Sequence, residues 1–207
     1  MGWIYAIGFL AQLFFSARIL IQWVLSERAH RIVSPSAYWI CSLAGSWLLF
    51  LYGWLRDDFS IILGQLISYY IYLWNLNLKG LYRRIPLLLR AVLLLTPVAA
   101  LVAIAGHAEA FVRDFLQNDQ VPLWLLLFGS VGQAIFSLRF VYQWLYSARH
   151  GESSLPVGFW AMSLVGSAMI VCYGLIRLDP VLILGQSVGF IAYARNFLIG
   201  RKHDHEA

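Results

Sequence analysis

The chain has 207 residues, 61% of them hydrophobic and 12% charged, with a mean hydropathy of +0.72. Such a composition belongs to an integral membrane protein and leaves no room for a soluble catalytic domain or a nucleotide-binding fold. The net charge of +5 does not point to nucleic acid, because the basic residues fall between apolar stretches in a pattern that follows membrane topology.

About 20 apolar residues of helix cross a bilayer core, and the chain offers seven such segments: 3–25, 37–55, 59–78, 86–106, 122–146, 156–176 and 180–200. The first lacks a basic start and a small-residue cleavage site and reads as a retained span rather than a signal peptide. At about 100° per residue, its Gln12, Phe15, Ser16, Arg18, Gln22 and Trp23 share one arc of roughly 160°. Arg18 lies just past the middle of the span, where a charge costs on the order of 3 kcal/mol. Either it faces protein or a wet cavity, or its stem snorkels to the surface. Connection 26–36 follows, with Pro35 just ahead of the second span, where proline breaks no helical hydrogen bond. This connection and its later counterpart, 147–157 with Pro156, are expected to flank a cytoplasmic gate.

The second span carries Ser42 and Ser46, a spacing that suits close helix packing. Its Cys41, and Cys172 in the sixth span, lie in apolar surroundings, which argues against a disulfide framework or a zinc site. Asp58, two residues after Arg56, reads as a helix N-cap or a gate ion pair, as does Asp179 after Arg177. The third span contributes Gln65, Tyr72 and Asn75; the fourth has no comparable polar set. The fifth brings Gln133, Ser137, Arg139 and Gln143, the sixth Ser163 and Ser167, and the seventh Gln186, Tyr193, Arg195 and Asn196. At about 1.5 Å per residue, Arg18, Gln22, Tyr72 and Asn75 reach similar depths, with Gln12 and Gln65 nearer the opposite face. Each Gln and Asn alone also fits an amide pair holding helices together; jointly they outline a hydrophilic path.

These lists repeat. Residues 8–79 match 129–200 without a gap, at a constant offset of 121. Arg18/Arg139, Gln22/Gln143, Pro35/Pro156, Trp39/Trp160, Gly45/Gly166, Asp58/Asp179, Gln65/Gln186, Tyr72/Tyr193 and Asn75/Asn196 all align, which apolar composition alone would not produce. Two three-helix units joined directly would lie upside down to one another; the unpaired span 86–106 restores the orientation. The expected fold is therefore all-α and membrane-embedded: seven transmembrane helices in a 3+1+3 arrangement of parallel three-helix repeats, as in SWEET-type carriers, with the site between the repeats. The divisions are 1–80 for the first repeat, 81–121 for the linker helix and outer loop, and 122–207 for the second repeat and tail.

Alternate connections differ in charge. One set holds Arg28, Arg31, Lys79, Arg83, Arg84, Arg90, Arg149, Arg201 and Lys202; the other holds Arg56, Arg113 and Arg177. Nine against three places the N-terminus outside and the C-terminus in the cytoplasm. Three arginines, Arg18, Arg139 and Arg195, lie inside spans whose cores hold no acidic residue. Guanidinium in that setting suits a phosphate or carboxylate ligand. The candidate ligand-binding residues are Arg18, Gln22, Gln65, Tyr72, Asn75, Arg139, Gln143, Gln186, Tyr193, Arg195 and Asn196. The five histidines lie in loops or the tail, and no metal-spaced cluster or activated nucleophile appears. The chain is accordingly expected to need no cofactor or metal and to be no enzyme.

Arg139-Phe-Val-Tyr-Gln143-Trp144, Pro156, Phe159-Trp160, Ser163-Leu-Val-Gly166, Tyr173, Arg177-x-Asp179-Pro180, Leu184-Gly185-Gln186 and Tyr193-Ala-Arg195-Asn196 together resemble the lipid-A-disaccharide synthase N-terminal domain family. The first repeat shows the same pattern, with Trp74 for the Arg before Asn75, Phe59 for the Pro after Asp58, and Gly-Gln in place of Pro-Gln in the third span. The first two of these departures make the halves inequivalent, and Gly-Gln is common to both. The resemblance implies kinship with PQ-loop and SWEET-like carriers, a place in the bacterial inner membrane, and a role in lipid A or envelope-glycan modification, with the synthase chemistry in a separate domain. It also implies membrane lipids and an anionic lipid-linked sugar as partners, with an envelope glycosyltransferase nearby. The leading expectation is a flippase for a polyprenyl-phosphate sugar. A carrier of a free sugar or small anion, and a non-transporting subunit that anchors a glycosyltransferase, are the alternatives.

Overall fold

The computed structural model describes residues 2–55, 59–104, 106, 122–178 and 180–206, and among these the chain is all-helical. The helices are α1 (Gly2–Ala29), α2 (Ser36–Leu55), α3 (Phe59–Leu78), α4 (Leu87–Ile104), α5 (Leu123–His150), α6 (Val157–Arg177) and α7 (Pro180–Glu206), with a 3-10 turn at Tyr82–Arg84. The last three begin 121 residues after the first three, at Leu123 for Gly2, Val157 for Ser36 and Pro180 for Phe59. Among the described residues four helical segments are long and apolar enough to cross a membrane: Trp3–Ala29, Ser36–Leu55, Leu123–His150 and Val157–Arg177. Leu87–Val102 is a shorter apolar helix. Arg56, Asp58 and Asp179, expected to cap helices or form gate pairs, lie outside the described residues.

Helices α1 and α5 run about a turn beyond the ends expected for them. Each stops at a left-handed residue, His30 at φ 53° and Gly151 at φ 71°, at equivalent repeat positions. Glycine takes this conformation freely, and histidine is among the side chains that tolerate it. Arg28 in α1, and Arg149 and His150 in α5, occupy the last turns, where cations favour the carboxyl end of the helix dipole.

The chain forms two compact units. One comprises Met1–Arg18 and Ser36–Asp119; the other comprises Ile19–Pro35 and Gln120–Ala207, so α1 is divided after Arg18. In the first unit α2, α3 and α4 pack on one another. Lipid tails are as apolar as leucine, so close packing and hydrogen bonds hold such helices together. Phe50 and Tyr69 meet edge to face at 5.2 Å. Pro97 inside α4 cannot donate to the carbonyl four residues back. The Tyr69 hydroxyl supplies the missing donor to that Leu93 oxygen at 2.9 Å, so the interruption leaves no bare carbonyl in the membrane.

In the second unit α6 packs against both α5 and α7. A Cβ built on Gly166 would come within 2.8 Å of the Phe136 backbone nitrogen and 2.9 Å of the Gly132 carbonyl oxygen. Glycine at 166 is what lets these two backbones approach. The inner part of α1 belongs to this unit through Gln22, whose Nε2 donates to Asn196 Oδ1 at 2.9 Å.

Candidate functional site: two repeated arginine cages

On α1 the buried residues are Ala11, Arg18, Gln22 and Ser26, an i, i+4 stripe from Arg18 onward. Gln12 and Ser16, expected on the same face, are exposed. The protein-facing strip is thus narrower than the polar arc, because a helix buried on one side needs only the residues that stack along that side.

Arg18 is 6% exposed and Arg139 is 3% exposed, so neither reaches the surface by snorkelling. Arg18 Nη1 donates to Ser42 Oγ at 2.9 Å and to the Tyr72 hydroxyl at 3.1 Å. The Ser42 hydroxyl in turn donates to the Tyr38 carbonyl at 2.6 Å, which turns its lone pairs toward the guanidinium. Three rings face Arg18, with centroids at 4.7 Å for Phe15, 5.4 Å for Tyr38 and 5.7 Å for Tyr72. Their negative faces attract the cation, by about 2 kcal/mol for a well-placed desolvated ring.

The second unit rebuilds this cage from the equivalent residues. Arg139 lies 3.3 Å from the Phe136 ring centroid, 5.5 Å from Phe159 and 5.6 Å from Tyr193, which occupy the places of Phe15, Tyr38 and Tyr72. Phe140, at 4.8 Å, is an addition. Ser163 repeats the Ser42 bond, donating to the Phe159 carbonyl at 2.6 Å. Beside the cages, Trp39 packs on Tyr72 and Trp160 on Tyr193, each at 6.1 Å between centroids.

The amides play a different part. Gln22 Nε2 donates to Ser26 Oγ at 2.8 Å and to the Val33 carbonyl at 3.3 Å, while Val33 N–H donates to Ser26 Oγ at 3.1 Å. Gln143 Nε2 donates to Ser147 Oγ at 2.9 Å and to the Ser154 carbonyl at 2.8 Å, and Ser154 N–H returns to Ser147 Oγ at 3.1 Å. Each clasp folds a connection back onto the helix before it, so both amide nitrogens are engaged by the chain itself. Asn75 and Asn196 donate to carbonyls four residues earlier, Ile71 at 2.9 Å and Ala192 at 2.8 Å. Gln65 Oε1 accepts from Ser46 Oγ at 2.7 Å, and Gln186 is half-buried.

Arg195 stands apart from the two caged arginines. Its side chain is 50% exposed and forks onto the Glu27 carboxylate, with Nε donating to Oε2 at 2.8 Å and Nη2 to Oε1. The expectation of an unpaired intramembrane cation is therefore corrected for Arg195. The carboxylate that meets it is 168 residues away in sequence and sits in the last turn of α1, beyond the span core.

Structure and site define a helical membrane protein with a twice-built guanidinium cage. The chain belongs to the Lipid A Biosynthesis N-terminal domain family, which matches it twice, at residues 7–77 and 128–198. It is 32% identical over 210 residues to a protein from Chlamydia abortus named lipid-A-disaccharide synthase, covering 95% of this chain and 33% of that protein. A protein of the same name from Chlamydia pneumoniae is 30% identical over 201 residues, covering 93% of this chain and 33% of its own length. The chain thus spans about a third of the curated relatives it matches. No solved structure matches it. The expectation that the chain is no enzyme is overturned by these relatives, which carry an enzyme's name. That expectation rested on a missing catalytic constellation, and a segment this short relative to an enzyme can lack the reacting groups and still be part of one. Membership in the family and the apolar helices together place the protein at a membrane, in lipid A biosynthesis.

The cage serines and rings, Ser42, Ser163, Phe15, Phe136, Tyr38 and Phe159, were not among the candidate residues. The signal is present in the sequence: Ser42/Ser163 and Phe15/Phe136 recur at offset 121 along with the arginines, and aromatic Tyr38 is matched by aromatic Phe159.

Proposed function

We propose that the protein binds the phosphate of an anionic lipid-linked sugar, such as a polyprenyl-phosphate monosaccharide, and moves it between the leaflets of the bacterial inner membrane. The observation that carries this reading is the pair of buried guanidinium groups, Arg18 and Arg139, held at equivalent positions in equivalent cages. Holding a cation at such depth costs several kcal/mol before compensation, and twofold retention is best accounted for by a ligand that needs it. Phosphate suits guanidinium through paired hydrogen bonds, and the tyrosine hydroxyls of Tyr72 and Tyr193 add donors at the same place. In this reading the chain crosses the membrane seven times as parallel 3+1+3 repeats of the SWEET-like kind, N-terminus outside and C-terminus in the cytoplasm.

The test is reconstitution in vesicles loaded with a short-chain polyprenyl-phosphate sugar, with leaflet exposure followed over time. Wild-type protein should accelerate the exchange. The R18K and R139K variants keep the charge but lose the planar fork, and should slow it about tenfold or more, the loss expected for one charge-assisted bond. Exchange no faster than in empty vesicles overturns the reading.

A second reading has its own support in the relatives' name: the chain is the membrane part of a lipid A glycosyltransferase and presents the lipid substrate to it. A glycosyltransferase that co-purifies with the chain and turns over faster in its presence, while lipid exchange stays at the empty-vesicle rate, would favour this account.

A further inference from the structure

The ion pair of Glu27 and Arg195 has no counterpart at the repeat-related positions, which hold Ala148 and Trp74. The first repeat carries Glu27 with Trp74 and the second carries Ala148 with Arg195, so each repeat supplies one member of a pair that joins α1 to α7. Stability does not explain it. The side chains are 42% and 50% exposed, and an exposed ion pair adds little to folding. Exposure instead makes the carboxylate exchangeable, because another anion can approach the guanidinium without anything being unpacked.

The fork is also the arrangement in which guanidinium takes two oxygens of a phosphate. Its backbone is well fixed: Asn196, the next residue, is fully buried and accepts from the equally buried Gln22 at 2.9 Å. The register between the inner part of α1 and α7 is thereby set, and Arg195 is presented at the end of α1. Exposed Arg28, Arg201 and Lys202 lie within about two helical turns on the same two helices and raise the local potential for anions.

We propose that Arg195 is an anion-exchange site at which the Glu27 carboxylate holds the place of a lipid-borne phosphate, and that the phosphate displaces it on arrival. The inference rests on the phosphate-binding reading above and extends it. Arg195 is an accessible guanidinium, whereas Arg18 and Arg139 are each buried within an aromatic cage. Glu27 acts as an internal competitor. It keeps Arg195 oriented when no ligand is present and sets a threshold that a weakly held anion does not cross.

The full chain, purified in an uncharged detergent, would be titrated with dodecyl phosphate and binding followed by intrinsic tryptophan fluorescence. E27Q should tighten binding by about three- to tenfold, the gain from removing one charged competitor. R195Q should weaken it by about tenfold, and E27Q/R195Q should match R195Q, since the gain at position 27 has no meaning without the guanidinium. E152Q removes the same charge from an exposed connection and should leave binding unchanged. The proposal is overturned if E27Q binds no tighter while melting like the wild type, if E152Q gains as much as E27Q, or if E27Q/R195Q keeps the E27Q gain. Inorganic phosphate binding as tightly as dodecyl phosphate would overturn the lipid assignment. Because the titration needs no transport, a chain that exchanges anions at Arg195 but never moves a lipid would lose the flippase reading and keep this one.

Discussion

Ser26 and Ser147 each tie a helix to the connection that follows it, by accepting from a glutamine one turn earlier and from a backbone N–H seven residues later. An alanine at 147 strands the Ser154 N–H and one Gln143 donor, and unsatisfied buried donors cost about 1–3 kcal/mol each. S147A should lower the melting temperature and speed deuterium exchange at the Ser154 amide well before it affects Val33, where the intact clasp serves as an internal reference. Uniform exchange at both amides would show that the serine is not the tie. The sequence displays Gln and Ser four apart, twice over, but the third member of each clasp is a main-chain carbonyl, and main-chain acceptors look the same at every position. Sequence alone therefore leaves Gln22 and Gln143 open to a ligand, and in the structure their nitrogens face Val33 and Ser154. The arginines were easier to place, because a charge inside an apolar span has few explanations.

Helix pairs α1–α2 and α5–α6 share a pattern and differ in closeness. A Cβ on Gly45 would meet the Phe15 ring at 3.0 Å and the Ala11 carbonyl at 3.2 Å, whereas one on Gly166 would strike backbone at 2.8 and 2.9 Å. The position of Ala11 is taken by Gly132 in the second repeat, which removes the methyl group that keeps the first pair apart. A ring can tilt and a backbone cannot. G166A should therefore be destabilised by about 3 kcal/mol and G45A by about 1 kcal/mol, the two ends of the usual overpacking range. Thermal melting of the two variants in detergent checks this, and equal losses would mean that the extra closeness carries no energetic weight. Helix existence was legible for all seven elements, since apolar length reports it directly. Helix ends were less so: hydropathy marks where lipid stops, while α1 and α5 continue to the left-handed residues His30 and Gly151.

At the scale of the whole molecule, the repeat tells which residues correspond but not which neighbours a given stretch of helix will choose. Nothing in the pattern of α1 announces that its first part goes with one compact unit and its inner part with the other. That division has a consequence in time. Gln22 finds Asn196 only 174 residues later, and at roughly 5–20 residues per second the wait at the ribosome is on the order of 10 to 35 seconds. Throughout that interval Gln22 has only the Ser26 and Val33 acceptors of its own clasp, Glu27 lacks its guanidinium, and the inner turns of α1 are without α7, which leaves them open to proteolysis. A chain stopped after Ala194 should be cleaved near residues 19–35 in a pulse-chase experiment, while the full-length chain matures to resistance; matching half-lives would contradict this. Helix α7 thus certifies α1, and a nascent chain that never reaches Asn196 carries its own mark for disposal.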